Sequence, residues 1–175
     1  MKGTIDASVE NAEVRILSDS KELYEHNTIV DLIRNDISQV AEKVYVSKFR
    51  FIDKIKSNNK DLLQVSSEIN GELQHNWQKN LGTLLMKMLP AGSVSGAPKQ
   101  KTLEIIKNAE GKERGYYTGI FGLFDGKDLD SAVNIRYLEK KDGKLFFRSG
   151  GGITALSNPD SEYSELLNKI YVPVG

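Results

Sequence analysis

The spacing of the apolar residues changes along this chain, and that change constrains the fold more than any other feature. Leu23, Val30, Ile33 and Ile37 recur at helical intervals behind the capping run S-D-S-K-E-L, which predicts a helix from about Ser20 to Ala41. Short β-rich pieces follow at Val44 to Val46 and Phe49 to Ile52. Leu63, Val65, Ser67 and Ile69 then alternate with their neighbours as in a half-buried strand. The period returns to helical in W-Q-K-N-L-G-T-L-L-M-K-M-L, which Pro90 stops, and again in T-L-E-I-I-K behind Pro98, a third helix ending near Gly111.

The last third reads differently. Tyr117 to Phe124, Leu129 to Leu138 and Lys144 to Arg148 are β-rich runs separated by D-G-K-D and K-K-D-G-K, both suited to hairpin turns, and together they predict an antiparallel meander. A final helix is announced by N-P-D-S-E-Y near Asn158. No repeat and no low-complexity linker interrupts the order. The expectation is therefore one domain over 1–175, of α+β class, with helices packed on mostly antiparallel strands.

Composition narrows the function classes. Lys plus Arg and Asp plus Glu both number 24, so no global field favours nucleic acid or an anionic membrane surface. There is no cysteine, which excludes disulfides, thiolate metal sites and a cysteine nucleophile within this sequence and fits a reducing compartment, with the cytoplasm as the expectation. No apolar run approaches a membrane span, and nothing resembles a signal peptide.

Several residue groups could carry chemistry. Glu25 on the first helix and Glu162 and Glu165, three apart on the last, could converge on a hard cation such as Mg²⁺, or be solvated helix faces. The loop G-S-V-S-G-A-P-K could present backbone N–H groups to an anion at a helix N-terminus, or be a plain turn; it lacks the Walker spacing. Gly150, Gly151 and Gly152 could admit a carboxylate close to the backbone or relieve strain between strand and helix. Arg136, in D-S-A-V-N-I-R-Y-L, is either a carboxylate clamp or an outward strand arginine, Tyr117 either a ligand-facing hydroxyl or a packed ring, and Lys169 either a ligand or an ion-pair partner of Glu165. His26 and His75 read as surface or packing residues. Lys2, in M-K-G-T, is either a solvated end or a nucleophile beside the permissive pair Gly3 and Thr4.

The order of these pieces is more specific than any one of them. E-H-N-T-I-V-D-L-I-R-N-D, G-S-V-S-G-A-P-K, R-G-Y-Y-T-G, an I-R strand, G-G-G-I and S-E-Y-S-E-L-L-N-K together resemble the chorismate-utilising enzymes over nearly the whole chain. Within that family, K-G-T resembles component I of aminodeoxychorismate (para-aminobenzoate) synthase, since anthranilate synthases typically carry Ala at the lysine position.

The resemblance implies a fold, a reaction and a site. The fold would be the C-terminal part of a two-sheet α/β sandwich. Lys2 would attack C2 of chorismate and displace the C4 hydroxyl, after which ammonia at C4 would expel the lysine and give 4-amino-4-deoxychorismate, on the route to folate. Glu25 and Glu165 match Mg²⁺ ligands, with Glu162 close by or acting through water. Tyr117, Arg136 and Lys169 match groups that hold substrate carboxylates, while Gly3, Thr4, Ser95 and Gly150 to Gly152 match pocket-lining positions.

Gln64 stands where the family usually has a histidine; it can hydrogen-bond but carries no proton for acid–base work. The S-P-E segment bearing the family's general acid lies upstream of K-G-T. The chain is therefore expected to correspond to the C-terminal half of a chorismate-binding domain, and to self-associate or pair with an N-terminal segment. Ammonia would come from a glutamine amidotransferase partner. Anthranilate, isochorismate or salicylate formation are the alternatives of the same class, and a non-catalytic fragment that binds partners is the alternative of another.

Overall fold

A computed structural model describes residues 4–56, 61–155, 157–168 and 170. They form an α+β arrangement of small antiparallel sheets and helices, divided into two compact units, one ending at Leu103 and the other beginning at Glu104.

The first unit is built on a three-stranded antiparallel sheet in the order β1-β3-β2, where β1 is Thr4–Asp6, β2 is Ala41–Ile55 and β3 is Leu62–Leu73. Helices α1 (Ala12–Ser18) and α2 (Ser20–Ser38) pack against it. The α2 N-terminus forms as its sequence predicts: Asp19 is the cap, and its carboxylate accepts the Glu22 N–H at 2.9 Å. Its C-terminus comes at Ser38 rather than Ala41. Gln39 and Val40 donate to Asp36 and Ile37 in a tightened last turn, and Ala41 already pairs with Leu73. The buried apolar residues Ala12, Ile16, Val30, Leu63 and Val65 come from α1, α2 and β3, with Val65 1% exposed. At about 25 cal/mol per Å² this is a modest core, so polar contacts weigh more in holding the unit.

One such contact explains why β2 is a single long strand where the sequence pattern predicts two short pieces. Register shifts interrupt the β2–β3 ladder between Glu42 and Tyr45, Val46 and Lys48, and Lys48 and Phe51. At the last of these Arg50 takes a left-handed conformation (φ 48°), and its N–H is accepted by the Ser67 hydroxyl at 3.0 Å. The Ser67 oxygen also lies 2.6 Å from Nε2 of His26, a buried histidine that meets Phe49 edge to face. The Arg50 guanidinium reaches back to the Leu17 and Ile16 carbonyls at 3.0 and 3.2 Å, capping the C-terminal end of α1. His26 is thus a packed, hydrogen-bonded histidine, as its sequence context implied.

The helix anticipated from Trp77 begins as a 3₁₀ turn over Trp77–Asn80 and continues as α3, Leu81–Met88. A single turn, α4 (Gly92–Ser95), lies inside what read as a loop, and α5 (Lys99–Glu110) follows Pro98. Asp36, near the end of α2, ties this region down. One of its carboxylate oxygens accepts the Gly92 N–H at 2.6 Å and the other the Lys99 ammonium at 2.5 Å.

In the second unit the anticipated meander is instead two separate hairpins. β4 (Ile120–Phe124) pairs with β5 (Leu129–Val133), and β6 (Tyr137–Lys141) with β7 (Lys144–Arg148). The run from Leu129 to Leu138 breaks at 134–136 because Asn134 turns back onto the preceding loop. Its N–H donates to the Gly119 carbonyl, its carbonyl accepts from Thr118, and its side-chain amide donates to the Tyr116 carbonyl. Arg136, expected in a strand, therefore sits in the bend at φ 53°. Both turns form where the sequence placed them. The Asp125 carboxylate accepts the Lys127 and Asp128 N–H groups, while Asp142 and Gly143 take positive φ. The last helix, α6, is Pro159–Asn168, with the Asn158 side chain accepting the Ser161 N–H at 3.1 Å.

Candidate functional site

Thr4 and Gln64 face one another across the β1–β3 ladder, so the first unit brings together two of the anticipated pocket positions. Thr4 also lines a cleft with Arg15, Asp19 and Glu22, on the side where α2 begins. Glu25 lies one turn further along α2, its side chain 19% exposed and 3.8 Å from the Lys21 ammonium. Ser95 is buried, and its hydroxyl donates to the Ala91 carbonyl at 2.9 Å inside the α4 turn.

The second unit assembles more of the set. The Tyr117 hydroxyl occupies the space beside Gly150 that a methyl group would take, so glycine is required there for the ring to sit as it does. A methyl on Gly151 would lie 3.9 Å from a Glu162 carboxylate oxygen. Ser157 donates its hydroxyl to the other Glu162 oxygen at 2.8 Å and accepts the Thr154 N–H at 3.0 Å, linking the loop after the glycines to the first turn of α6. Tyr117 and Glu162, 45 residues apart in sequence, thus each approach the glycine turn, Tyr117 at Gly150 and Glu162 at Gly151. Arg136 feels the same phenol electrostatically, and Glu165 follows one turn after Glu162 on α6. Lys2, Gly3 and Lys169 lie outside the described residues.

Burial raises the Tyr117 phenol above its usual range, and the nearby Arg114 charge opposes that shift. At neutral pH the group is a neutral hydroxyl able to donate a hydrogen bond. A carboxylate is the oxygen donor that a hard cation takes, and such a cation commonly needs only one or two of them beside substrate oxygens. Among the described residues no three His, Asp or Glu side chains form a metal cluster by themselves. Glu25 belongs to the first unit, Glu162 and Glu165 to the second. No helix among the described residues is long and apolar enough to cross a membrane.

Two residues lie beyond what the sequence pattern singles out. Glu22 stands three positions before Glu25, the same interval that separates Glu162 from Glu165, and that repeated Glu-x-x-Glu spacing is the available signal. The other is Arg114, within R-G-Y-Y-T-G. Its signal is Glu110 four residues earlier, an i,i+4 spacing that the structure turns into a two-point ion pair.

The sequence profile described as chorismate binding enzyme matches residues 1–175. An uncharacterized PabA-like protein of Pasteurella multocida is 61% identical over 175 residues, which is 100% of this chain and 54% of that protein. A protein of the same description from Haemophilus influenzae is 58% identical over 174 residues, 99% of this chain and 53% of its own length. Anthranilate synthase component 1 of Acetivibrio thermocellus is 39% identical over 172 residues, 96% of this chain and 33% of its own. The chain thus spans about half the length of the first two relatives. Among solved structures, the menaquinone-specific isochorismate synthase MenF of Escherichia coli superposes with a TM-score of 0.69 at 18% identity, over 96% of this chain and 39% of that one, a likeness of fold.

Proposed function

Because the chain belongs to the chorismate-binding enzyme family, we propose that it acts on chorismate as part of an aminodeoxychorismate synthase component I, with ammonia replacing the C4 hydroxyl to give 4-amino-4-deoxychorismate. The observation that carries the family-level reading is the match over residues 1–175, and K-G-T at the lysine position supports the finer one. In this reading the Lys2 amine forms a bond to C2 as the C4 hydroxyl departs with a proton. Ammonia then bonds to C4 and the lysine leaves C2.

Tyr117, Arg136 and Lys169 hold the substrate carboxylates, while Gly3, Thr4, Gln64, Ser95 and Gly150 to Gly152 line the pocket. Gln64 contributes a hydrogen bond where a histidine would bring a proton. Glu25 and Glu165, assisted by Glu162, would hold Mg²⁺, which when bound supplies charge stabilisation at the substrate oxygens. The ammonia comes from a glutamine amidotransferase partner, as the resemblance to an aminodeoxychorismate synthase component I implies. The cytoplasm is the compartment this proposal adopts.

The second unit also supports association. Phe121, Leu123 and Leu145 are 60%, 75% and 67% exposed on two-stranded ribbons, which have too little surface to bury their own apolar faces. A second copy, or a preceding segment of a longer protein, would cover them. Sedimentation of the 175-residue chain tests this, and a monodisperse monomer would count against self-association.

The reaction is tested by incubating the protein with chorismate, Mg²⁺ and an ammonium salt, with the products identified by mass spectrometry. Aminodeoxychorismate is expected, together with its loss in Lys2→Ala. Anthranilate, the product class that the 39% identical relative's name indicates, would replace the finer reading with its sibling. The absence of any chorismate-derived product and of any adduct on Lys2 would mean that these residues hold half of a catalytic site, completed by the further length that the relatives have.

A further inference from the structure

We propose that Arg114 is a positioning residue that fixes the Tyr117 ring against the Gly150 turn, and that substrate affinity at this turn depends on that ion-paired arginine. The inference rests on the reading of Tyr117 as a substrate-facing group and names the residue that aims it.

The geometry runs from α5 outward. Glu110, on the last turn of α5, receives Arg114 through both carboxylate oxygens, Nε to Oε2 at 2.9 Å and Nη2 to Oε1 at 2.7 Å. This two-point fork fixes the plane of the guanidinium as well as its position. The remaining nitrogen, Nη1, donates to the Thr118 hydroxyl at 3.2 Å, so the arginine spans the residue it serves. The guanidinium carbon then lies 5.5 Å from the centroid of the Tyr117 ring, within cation–π range. The Tyr117 N–H donates to the Arg114 carbonyl, closing a tight turn between them.

The far end of the ring is confined as well. Its hydroxyl touches Gly150, and no space remains there for a side chain. The ring thus lies between the arginine near its face and the glycine turn at its hydroxyl. The Arg114 side chain is 24% and Glu110 35% exposed, so the fork is partly shielded from solvent. A lysine could supply the charge but not the fixed plane.

The test uses the full protein with 3-fluorotyrosine incorporated, the Tyr117 resonance being assigned by its loss in Tyr117→Phe. In Arg114→Ala and in Gly150→Ala that resonance should move towards free fluorotyrosine, and in Arg114→Lys it should move less. In Arg114→Ala the KM for chorismate should rise about tenfold with kcat within about threefold, because a binding contact is lost before the chemical step. An unmoved Tyr117 resonance in Arg114→Ala would overturn the proposal, and so would a moved resonance with an unchanged KM. If Arg114→Ala does not fold, Glu110→Gln loosens the same fork, and an unmoved resonance in that variant would overturn the proposal equally. If the wild-type protein turns out not to use chorismate, the reaction assignment fails, while the resonance alone still decides whether Arg114 positions Tyr117.

Discussion

Replacing Asp36 with alanine tests how the first unit is held together. The side chain is 14% exposed and spends each carboxylate oxygen on a different target, the Gly92 N–H at 2.6 Å and the Lys99 ammonium at 2.5 Å. Gly92 is a buried residue, so its orphaned N–H should cost about 1–3 kcal/mol. Lys99 is 30% exposed and can turn to water, and its other contact, the Met88 carbonyl, is long at 3.4 Å. The lost ion pair therefore adds only about 1 kcal/mol after screening.

The expected destabilisation is about 3 kcal/mol, which at roughly 2–4 °C per kcal/mol for a chain of this size lowers the melting temperature by about 6–12 °C. The sole tryptophan, Trp77, lies in the same unit, so its fluorescence through a urea titration reports the right transition. The midpoint should fall with an unchanged slope. Asp36→Asn, which keeps an acceptor for Gly92, should lose less, and a cycle with Lys99→Met should return a coupling of about 1 kcal/mol. A loss below about 0.5 kcal/mol in Asp36→Ala would refute the assignment of this carboxylate as the clasp on the 92–99 segment.

Three further outcomes follow from the same contacts. Gly71→Ala would put a methyl 2.8 Å from Cβ of Ala41 and 2.9 Å from Ile37, and overpacking of this kind should cost about 1–3 kcal/mol in a thermal melt. The Glu68 carboxyl, hydrogen-bonded by Ser47, Lys48 and Asn70, is lowered from 4.5 to about 2. Its contribution to stability is therefore complete above pH 4.5 and lost as the pH falls towards 2, so Glu68→Gln should flatten that part of the acid limb and carboxyl NMR should locate the midpoint. Tyr117 runs the other way: its raised phenol stabilises the fold below pH 10, and this is lost as the pH climbs towards its folded value, so Tyr117→Phe should unfold later than wild type on the alkaline side.

The parts of the fold that could be read from sequence are those written within a few residues. The Asp19 cap and the helical spacing that follows give α2, and the alternation at Leu63 and Val65 gives β3. What escaped depends on partners distant in the chain. Arg50 can keep β2 continuous only because Ser67, on the next strand, accepts its N–H. Asn134 ends β5 only because residues 116–119 lie beside it. α1 is only seven residues long, with a left-handed Asn11 at its start in place of a side-chain cap, so no local signal announced it. The same distinction holds for the candidate site. The residue types were legible and their order supplied the family resemblance, whereas the approach of Tyr117 to Gly150 and of Glu162 to Gly151 is a product of folding.

The outer strand of the three-stranded sheet has one more consequence. β2 interrupts its own ladder three times, and its Lys43, Lys48 and Lys54 reach to Glu72, Glu68 and Asp61 at 2.7, 3.1 and 2.8 Å. A kinked, lysine-bearing margin is a poor template for an incoming strand. Each of those pairs also specifies the register, since a slip along β3 would separate the lysines from their acids. Among the described residues, the β2 edge is thus guarded against unwanted pairing by the same lysines that hold it in register.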